Sequence, residues 1–383
     1  ENYAYYDYEN IEFIENINTK SECENLGYYW HPFQGCKGLV HGLILQDETS
    51  NNANNAYNAD EKIEAYYGMI DVNLPSLYNV LDVKLITGLR LERYNLYMSV
   101  YNSVTGELAN TVVGDQTIEA NIDEKINLPS ITIILSKSEK HKINLSYSKT
   151  INRPEFRELA PVAYQEFYGG NVALGYPGLK NAEIINYDCR YEWFFGGNDL
   201  FSIGYFYKDF LNPIEVALIS TPDLIYKTFQ NAQSAISRGI ELEFRKLIPI
   251  IPITKGMINF SMNGTFSKSA VTERDSIILY NGTIYPNSSL SDSNKRGLVG
   301  HSKILINTTL NAQLVNGFSV SLSYNTFSQR LNSYAVGSLG DEYEFPFHSL
   351  NFTTSKKIKN FKLSFKINNI LNSKIRYGKI DKS

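Results

Sequence analysis

The side chains best suited to chemistry here are charged residues set two apart along segments that are otherwise apolar. They are Arg90 and Glu92, then Asp188, Arg190 and Glu192, then Glu241, Glu243 and Arg245. In an extended chain, groups at i and i+2 share one face, so each set projects to one side of its strand. Such a row can bind a charged surface or a solute. Bond-making needs more: a nucleophile with its base, a metal cluster, or paired carboxylates in a pocket. The histidines, His31, His41, His141, His301 and His348, stand singly and have no i, i+4 or Cys partner at ligand spacing. No Gly-x-Ser-x-Gly elbow or phosphate loop occurs. An enzyme, a metal and a cofactor are therefore not expected.

The elements that hold these charges are strands. Ile185, Tyr187, Cys189, Tyr191 and Trp193 alternate with Asn186, Asp188, Arg190 and Glu192, and after the turn Gly196-Gly197-Asn198-Asp199 the pattern resumes with Phe201, Ile203, Tyr205 and Tyr207. A charged face beside an aromatic-rich face suits a soluble sandwich or a barrel turned inside out in a membrane. The chain has 28 Tyr and 20 Phe against 2 Trp; strands favour aromatics, and interfacial girdles favour Tyr, so both architectures stay open. No run of about 18 apolar residues occurs, which excludes a membrane-spanning helix and says nothing against spanning strands. A formal charge of -4 gives no basic field, so nucleic acid is not an expected partner. The N-terminal residues lack the basic and apolar regions of a signal peptide, and no linker divides the chain.

Alternation recurs along the length. Ile63, Ala65, Tyr67 and Met69 make one apolar row; others follow at Leu81–Leu91, Ile131–Leu135, Ile143–Tyr147, Ile240–Phe244, Ile258–Phe266, Ile304–Ile306, Phe318–Tyr324, Leu350–Phe352 and Phe361–Ile367. Asn102–Asn121 reads as a long polar loop and Lys379–Ser383 as a loop-like tail. The matches give about thirteen strands. Links between them alternate short and long, as periplasmic turns and extracellular loops do in an outer-membrane barrel. Arg238 falls out of phase with the charged row and is expected above the membrane band. Cys23 and Cys36 flank a loop marked by Gly27, Pro32 and Gly35, which suggests a disulfide, and Cys189 reads as a small apolar side chain.

Several stretches resemble one family. Tyr147-Ser148-Lys149-Thr150-Ile151-Asn152-Arg153-Pro154-Glu155-Phe156-Arg157-Glu158-Leu159-Ala160-Pro161 is similar to a strand-to-loop segment of TonB-dependent outer-membrane receptors. Leu179-Lys180 followed by Asn186-Tyr187-Asp188-Cys189-Arg190-Tyr191-Glu192-Trp193-Phe194 resembles their next strand, as do Phe206–Glu215, Phe229–Ala232 with Gly239–Phe244, Gly88–Glu92 and Asn368–Asn372 theirs in turn. The matches keep their order from about Tyr57 to about Asn372. Gly175-Tyr176-Pro177-Gly178 departs from the family's Gly-Asn-Pro.

The resemblance implies an all-β, antiparallel transmembrane barrel, present in part: about 13 of roughly 22 strands, with the plug domain and the closing strand outside residues 1–383. It implies uptake across a Gram-negative outer membrane of a scarce nutrient (a ferric chelate, cobalamin or an oligosaccharide), driven by a TonB complex acting through the plug, with membrane lipid and a surface lipoprotein as further partners. A passive porin or secretion barrel is the first alternative, and a soluble adhesin or carbohydrate-binding module the second. The eight charges would then line the lumen and face the plug. Substrate contacts would fall on aromatic loop residues: Tyr28, Tyr29, Trp30, His31 and Phe33 in one loop, and Tyr164, Phe167, Tyr168 and Tyr176 in another. These could stack on substrate or pack on one another over the barrel mouth.

Overall fold

Strands separated by tight turns pair with their sequence neighbours, and that rule alone builds the main wall. A computed structural model describes residues 29–31, 35–37, 57–78, 80–102, 116–162, 164, 171–197, 199–220, 225–250, 256–279, 282–286, 296–314, 317–336 and 340–380. Twelve strands form one antiparallel sheet. In chain order they are β3 (Tyr57–Leu77), β4 (Leu81–Asn102), β5 (Gln116–Lys137), β6 (His141–Asn152), β8 (Ala182–Gly196), β9 (Asp199–Leu211), β12 (Ser234–Ile250), β13 (Gly256–Thr272), β16 (Ile304–Gln313), β17 (Phe318–Phe327), β20 (Phe347–Ile358) and β21 (Phe361–Ile367). Among the described residues the sheet does not close on itself, and β3 and β21 are its two edges. The remaining strands are short and sit in the connections: β1 (Tyr29–His31), β2 (Gly35–Lys37), β7 (Val172–Leu174), β10 (Ile214–Ser220), β11 (Ile225–Asn231), β14 (Ser276–Ile278), β15 (Ile284–Pro286), β18 (Arg330–Val336), β19 (Asp341–Glu344) and β22 (Tyr377–Ile380), with one helical turn, α1 (Phe156–Leu159).

Short turns and long loops segregate to opposite ends. Tyr78, Ser138, Gly197, Gly317 and Lys359, all at positive φ, lie in five of the short links, where a left-handed residue reverses the chain with the sheet's own twist. At the other end the links carry α1 and the short strands. Six of these form a second sheet in the order β22-β19-β18-β10-β11-β7. Its two parallel contacts, β10 with β18 and β11 with β7, join different loops.

Directly opposed residues of an antiparallel pair share a face, so the register separates an inner from an outer surface. Ser146, Asp188, Phe206, Gly239 and Ser267 form one inner row. Leu145, Cys189, Tyr205, Ile240 and Phe266 form the adjacent outer row. Gly239 is required there: a Cβ would stand 2.8 Å from the Phe206 ring and 2.6 Å from the Phe266 carbonyl.

Polarity inverts along the two longest strands. On β4, Val83, Leu85, Leu89 and Leu91 point outward, but beyond Arg93 the apolar side chains Tyr94, Leu96, Met98 and Val100 point inward and are buried. On β5, Ile131 and Ile133 face out, whereas Ile126, Ile122 and Ala120 face in. Near Arg93 the apolar side of the wall thus passes from the outer face to the inner one, which lines a vestibule at the long-loop end. Leu159, Ala160 and Leu179 fill that vestibule's inner face and complete an apolar cluster.

Several sequence expectations are corrected. Among the described residues the wall has twelve strands, in keeping with the sequence count of about thirteen. Residues 116–121 belong to β5 rather than to a loop; their outward residues are polar because they lie above the lipid. Ile63, Ala65, Tyr67 and Met69 face inward, opposite Tyr94, Glu92, Arg90 and Gly88. Since Tyr66, Ile70, Val72 and Leu74 supply an equally apolar second face, period-two patterning could not choose between them. Lys379 and Ile380 are not tail but part of β22, paired with Glu342 and Asp341. Arg238 lies on the outer face, beyond the apolar residues Ile240, Leu242 and Phe244.

Candidate functional site

All eight predicted charges share one face of the sheet, on β4, β8 and β12, and Arg190 reaches from β8 across β9 to β12. Arg190 donates from Nε to Glu192 Oε1 at 2.9 Å and from Nη2 to Glu243 Oε2 at 2.6 Å. Arg245 reaches the other oxygen of Glu243 at 3.0 Å. Arg90 and Arg153 both donate to Glu92. Six of the eight charges are therefore paired, with one another or with Arg153. Asp188 and Glu241 differ, since neither makes an ion pair among the described residues. On β13, β16, β17 and β20 the rows level with Glu243 and Arg245 are uncharged: Asn263, Asn307 and Asn325, then Ser261, Thr309, Ser323 and Asn351, face inward.

At the rim, the segments carrying the family resemblance converge. Arg153 crosses from the end of β6 to buried Glu92, and its guanidinium lies 4.7 Å from the centre of the Tyr94 ring. Asn181 donates to Glu124 at 2.7 Å. Asn231 accepts from Lys180 N at 2.8 Å and donates to Lys180 O and Asn212 O, while Arg274 ties Asn231 to Asn212. Two motif positions thus hold neighbouring loops to one point. Replacing Glu92 by Gln is expected to cost about 1.5–3 kcal/mol, the range for hydrogen bonds to charged groups. Faster proteolysis of the 153–181 segment in the assembled barrel would register it; unchanged cleavage would refute the anchoring role.

A second charged knot lies inside the loop cap. Arg296 forks onto Glu215 with hydrogen bonds of 3.1 and 2.6 Å, also donates to Glu273, and lies 4.2 Å from the centre of the Tyr334 ring. Val299 N donates to Glu215 Oε1 at 3.0 Å. Burial works to lower the Arg296 pKa, but the two carboxylates hold it above its ordinary value. Burial likewise raises the Tyr334 hydroxyl. Sequence patterning missed this cluster because its members lie far apart in the chain; only Glu215 fell within a recognised segment, Phe206–Glu215.

The aromatic loop candidates are placed unevenly. Tyr176 is half-buried against the vestibule cluster of Tyr94, Leu96 and Leu159. Its ring lies across Gly178, where a Cβ would come within 2.6 Å. Tyr164 bridges to Ala173 and sits beside the Arg157 guanidinium, 5.3 Å from the ring centre. Tyr29, Trp30 and His31 form β1, opposite Lys37, Cys36 and Gly35 of β2, but their side chains and that of Cys36 are outside the described set. Tyr28, Phe33, Phe167, Tyr168 and Cys23 lie outside the described residues altogether. Cys189 is a free, exposed thiol on the outer face.

With the outward apolar band, the inward polar wall and the segregated loops in view, comparison with known proteins decides the family. The model of an outer membrane protein β-barrel family matches residues 44–383. The chain belongs to that family. It is an outer-membrane protein, and the soluble adhesin alternative is set aside. No curated protein matches. Among solved structures, the ferric yersiniabactin uptake receptor FyuA from Yersinia pestis aligns with TM-score 0.53 at 11% identity, over 84% of this chain and 42% of that one. The siderophore receptor PirA from Pseudomonas aeruginosa aligns at 14% identity and TM-score 0.43, over 82% and 55%. The ferric enterobactin receptor PfeA from the same organism aligns at 14% identity and TM-score 0.44, over 82% and 49%. The chain spans about half the length of these structures, and at 11% identity the likeness to FyuA speaks for the fold alone.

Proposed function

We propose that this family member forms part of the wall of an active uptake receptor, one that takes a scarce nutrient across the outer membrane on energy supplied by TonB. The observation that carries it is the loop end. Three loops and the segment after β21 zip into one sheet, and one of those loops, 153–181, also folds down onto the inner wall through Arg153, Leu159 and Leu179. A passive pore works by leaving its mouth open. A capped mouth over a polar lumen suits capture followed by driven release. The two open edges, β3 and β21, suit a wall completed by further strands, with a plug inside it; Asp188 and Glu241 are the inner charges we assign to that plug. A ferric chelate, cobalamin or an oligosaccharide is the cargo class we favour, with Tyr164 and the aromatic residues at 28–33, 167 and 168 as contacts. Tyr176 is assigned to packing.

The test is uptake by cells expressing the complete reading frame. Saturable accumulation of one labelled cargo that disappears on deletion of TonB or collapse of the proton gradient is expected. Uptake that is linear in concentration and indifferent to TonB would establish the porin alternative instead.

A further inference from the structure

The outer face carries a feature that its neighbours do not balance. One row of directly opposed residues runs Tyr147, Tyr187, Tyr207, Arg238, Lys268 across five strands. The tyrosine rings follow one another at 5.3 and 6.2 Å between centroids. Arg238 and Lys268 then face each other as a cross-strand pair of like charge, an arrangement that destabilises a sheet. Both are exposed, and neither has an ion-pair partner among the described residues. Asp209, the acid on the adjacent outer position of β9, stands opposite Ile236 and pairs with neither cation. A comparable pair on the same face, Arg93 and Lys125, is offset: Asp123 lies 3.7 Å from Arg93, and Glu64 is directly opposite it. Among the described residues nothing does this for Arg238 and Lys268.

Depth identifies the missing counter-charge. Towards the short turns, the outward residues of β12 and β13 are Ile240, Leu242 and Phe244, and Phe266, Met262 and Phe260. The cations stand immediately beyond this apolar band, on the long-loop side, level with tyrosines of the kind that settle at a headgroup layer. Anionic headgroups at that depth meet basic side chains directly. We propose that Arg238 and Lys268, with the Tyr207 hydroxyl beside them, form a site for a phosphate-bearing lipid headgroup of the outer leaflet. The site concerns the wall's seating in the membrane and stands whether or not the barrel is TonB-driven.

The experiment reconstitutes the complete protein in phosphatidylcholine nanodiscs with or without phosphatidic acid as the phosphomonoester probe, and counts retained lipids by native mass spectrometry. Wild type is expected to retain phosphatidic acid preferentially. Preference should fall about fivefold in Arg238→Gln or Lys268→Gln and about 30-fold in the double variant, from roughly one basic contact each. Lys366→Gln on the inner face should leave it unchanged. Heat-modifiable gel mobility reports that each barrel is folded, and the single variants guard against loss of the double. Equal retention by wild type and double variant would overturn the proposal. So would binding of inorganic phosphate as tight as that of the lipid, or a protein partner held at this face with no preference for the lipid.

Discussion

Replacement of Arg296 by Met in the assembled barrel is expected to destabilise the loop cap by about 3–5 kcal/mol, because it takes the guanidinium away from two carboxylates that are already buried. Glu215 and Glu273 are almost fully enclosed, with side-chain exposures of 1% and 5%. The loss should be local. Amides of β10 and β18, which meet only in the cap, should exchange with deuterium orders of magnitude faster, while those of β8 and β9 keep their protection. A more telling variant removes all three charges at once, as Glu215→Gln, Glu273→Gln and Arg296→Met. Replacing a buried ionic cluster whole is often close to neutral, so most of the protection should return. If the triple variant is as loose as the single one, the cluster's role is not electrostatic and the account is wrong.

The second large effect tests which face meets lipid. Met262 and Asn263 are neighbours on β13, the first pointing outward and the second inward against Asn307 at 2.9 Å. Arginine at position 262 should cost about 2–4 kcal/mol, the range for a cation near the bilayer midplane. Arginine at 263 reaches an aqueous, uncharged stretch of lumen and should cost well under half as much. Urea titrations of folding into lipid vesicles read both values. Equal costs at the two positions would mean that the facing is misassigned.

How much of this was legible in the residues depended on whether one face of a strand met lipid. From β8 to β21 the outward rows are apolar and the inward rows polar, so Tyr187 against Asp188, or Phe260 against Ser261, gave the facing directly. On β3 both faces are apolar, and only pairing with Glu92 and Arg90 distinguishes them. The upper part of β5 hid for the opposite reason: Glu119, Asn121 and Asp123 point into water outside while Ala120 and Ile122 pack inside, which from sequence looks like a loop. The motifs located the rim, but not why. Arg153 reads as a turn residue until Glu92 is seen to receive it. Cap strands such as β7 and β19 are three and four residues long, too short for any period to register; β7 pairs with β11 of another loop, and β19 pairs with β22 beyond the last wall strand as well as with β18.

The parallel pairing of β10 with β18 also sets an order of events. Wall strands such as β8 and β9 join through a tight turn and can zip locally. Ala217 meets Tyr334, by contrast, across a chain separation that takes in β12, β13, β16 and β17. Closing so long a loop in free chain is entropically expensive, and pairings of this kind form late. Once the intervening hairpins are in place, the two segments already stand side by side. The lid is therefore the last part to assemble, and a nascent barrel passes through a stage with its wall built and its mouth still open.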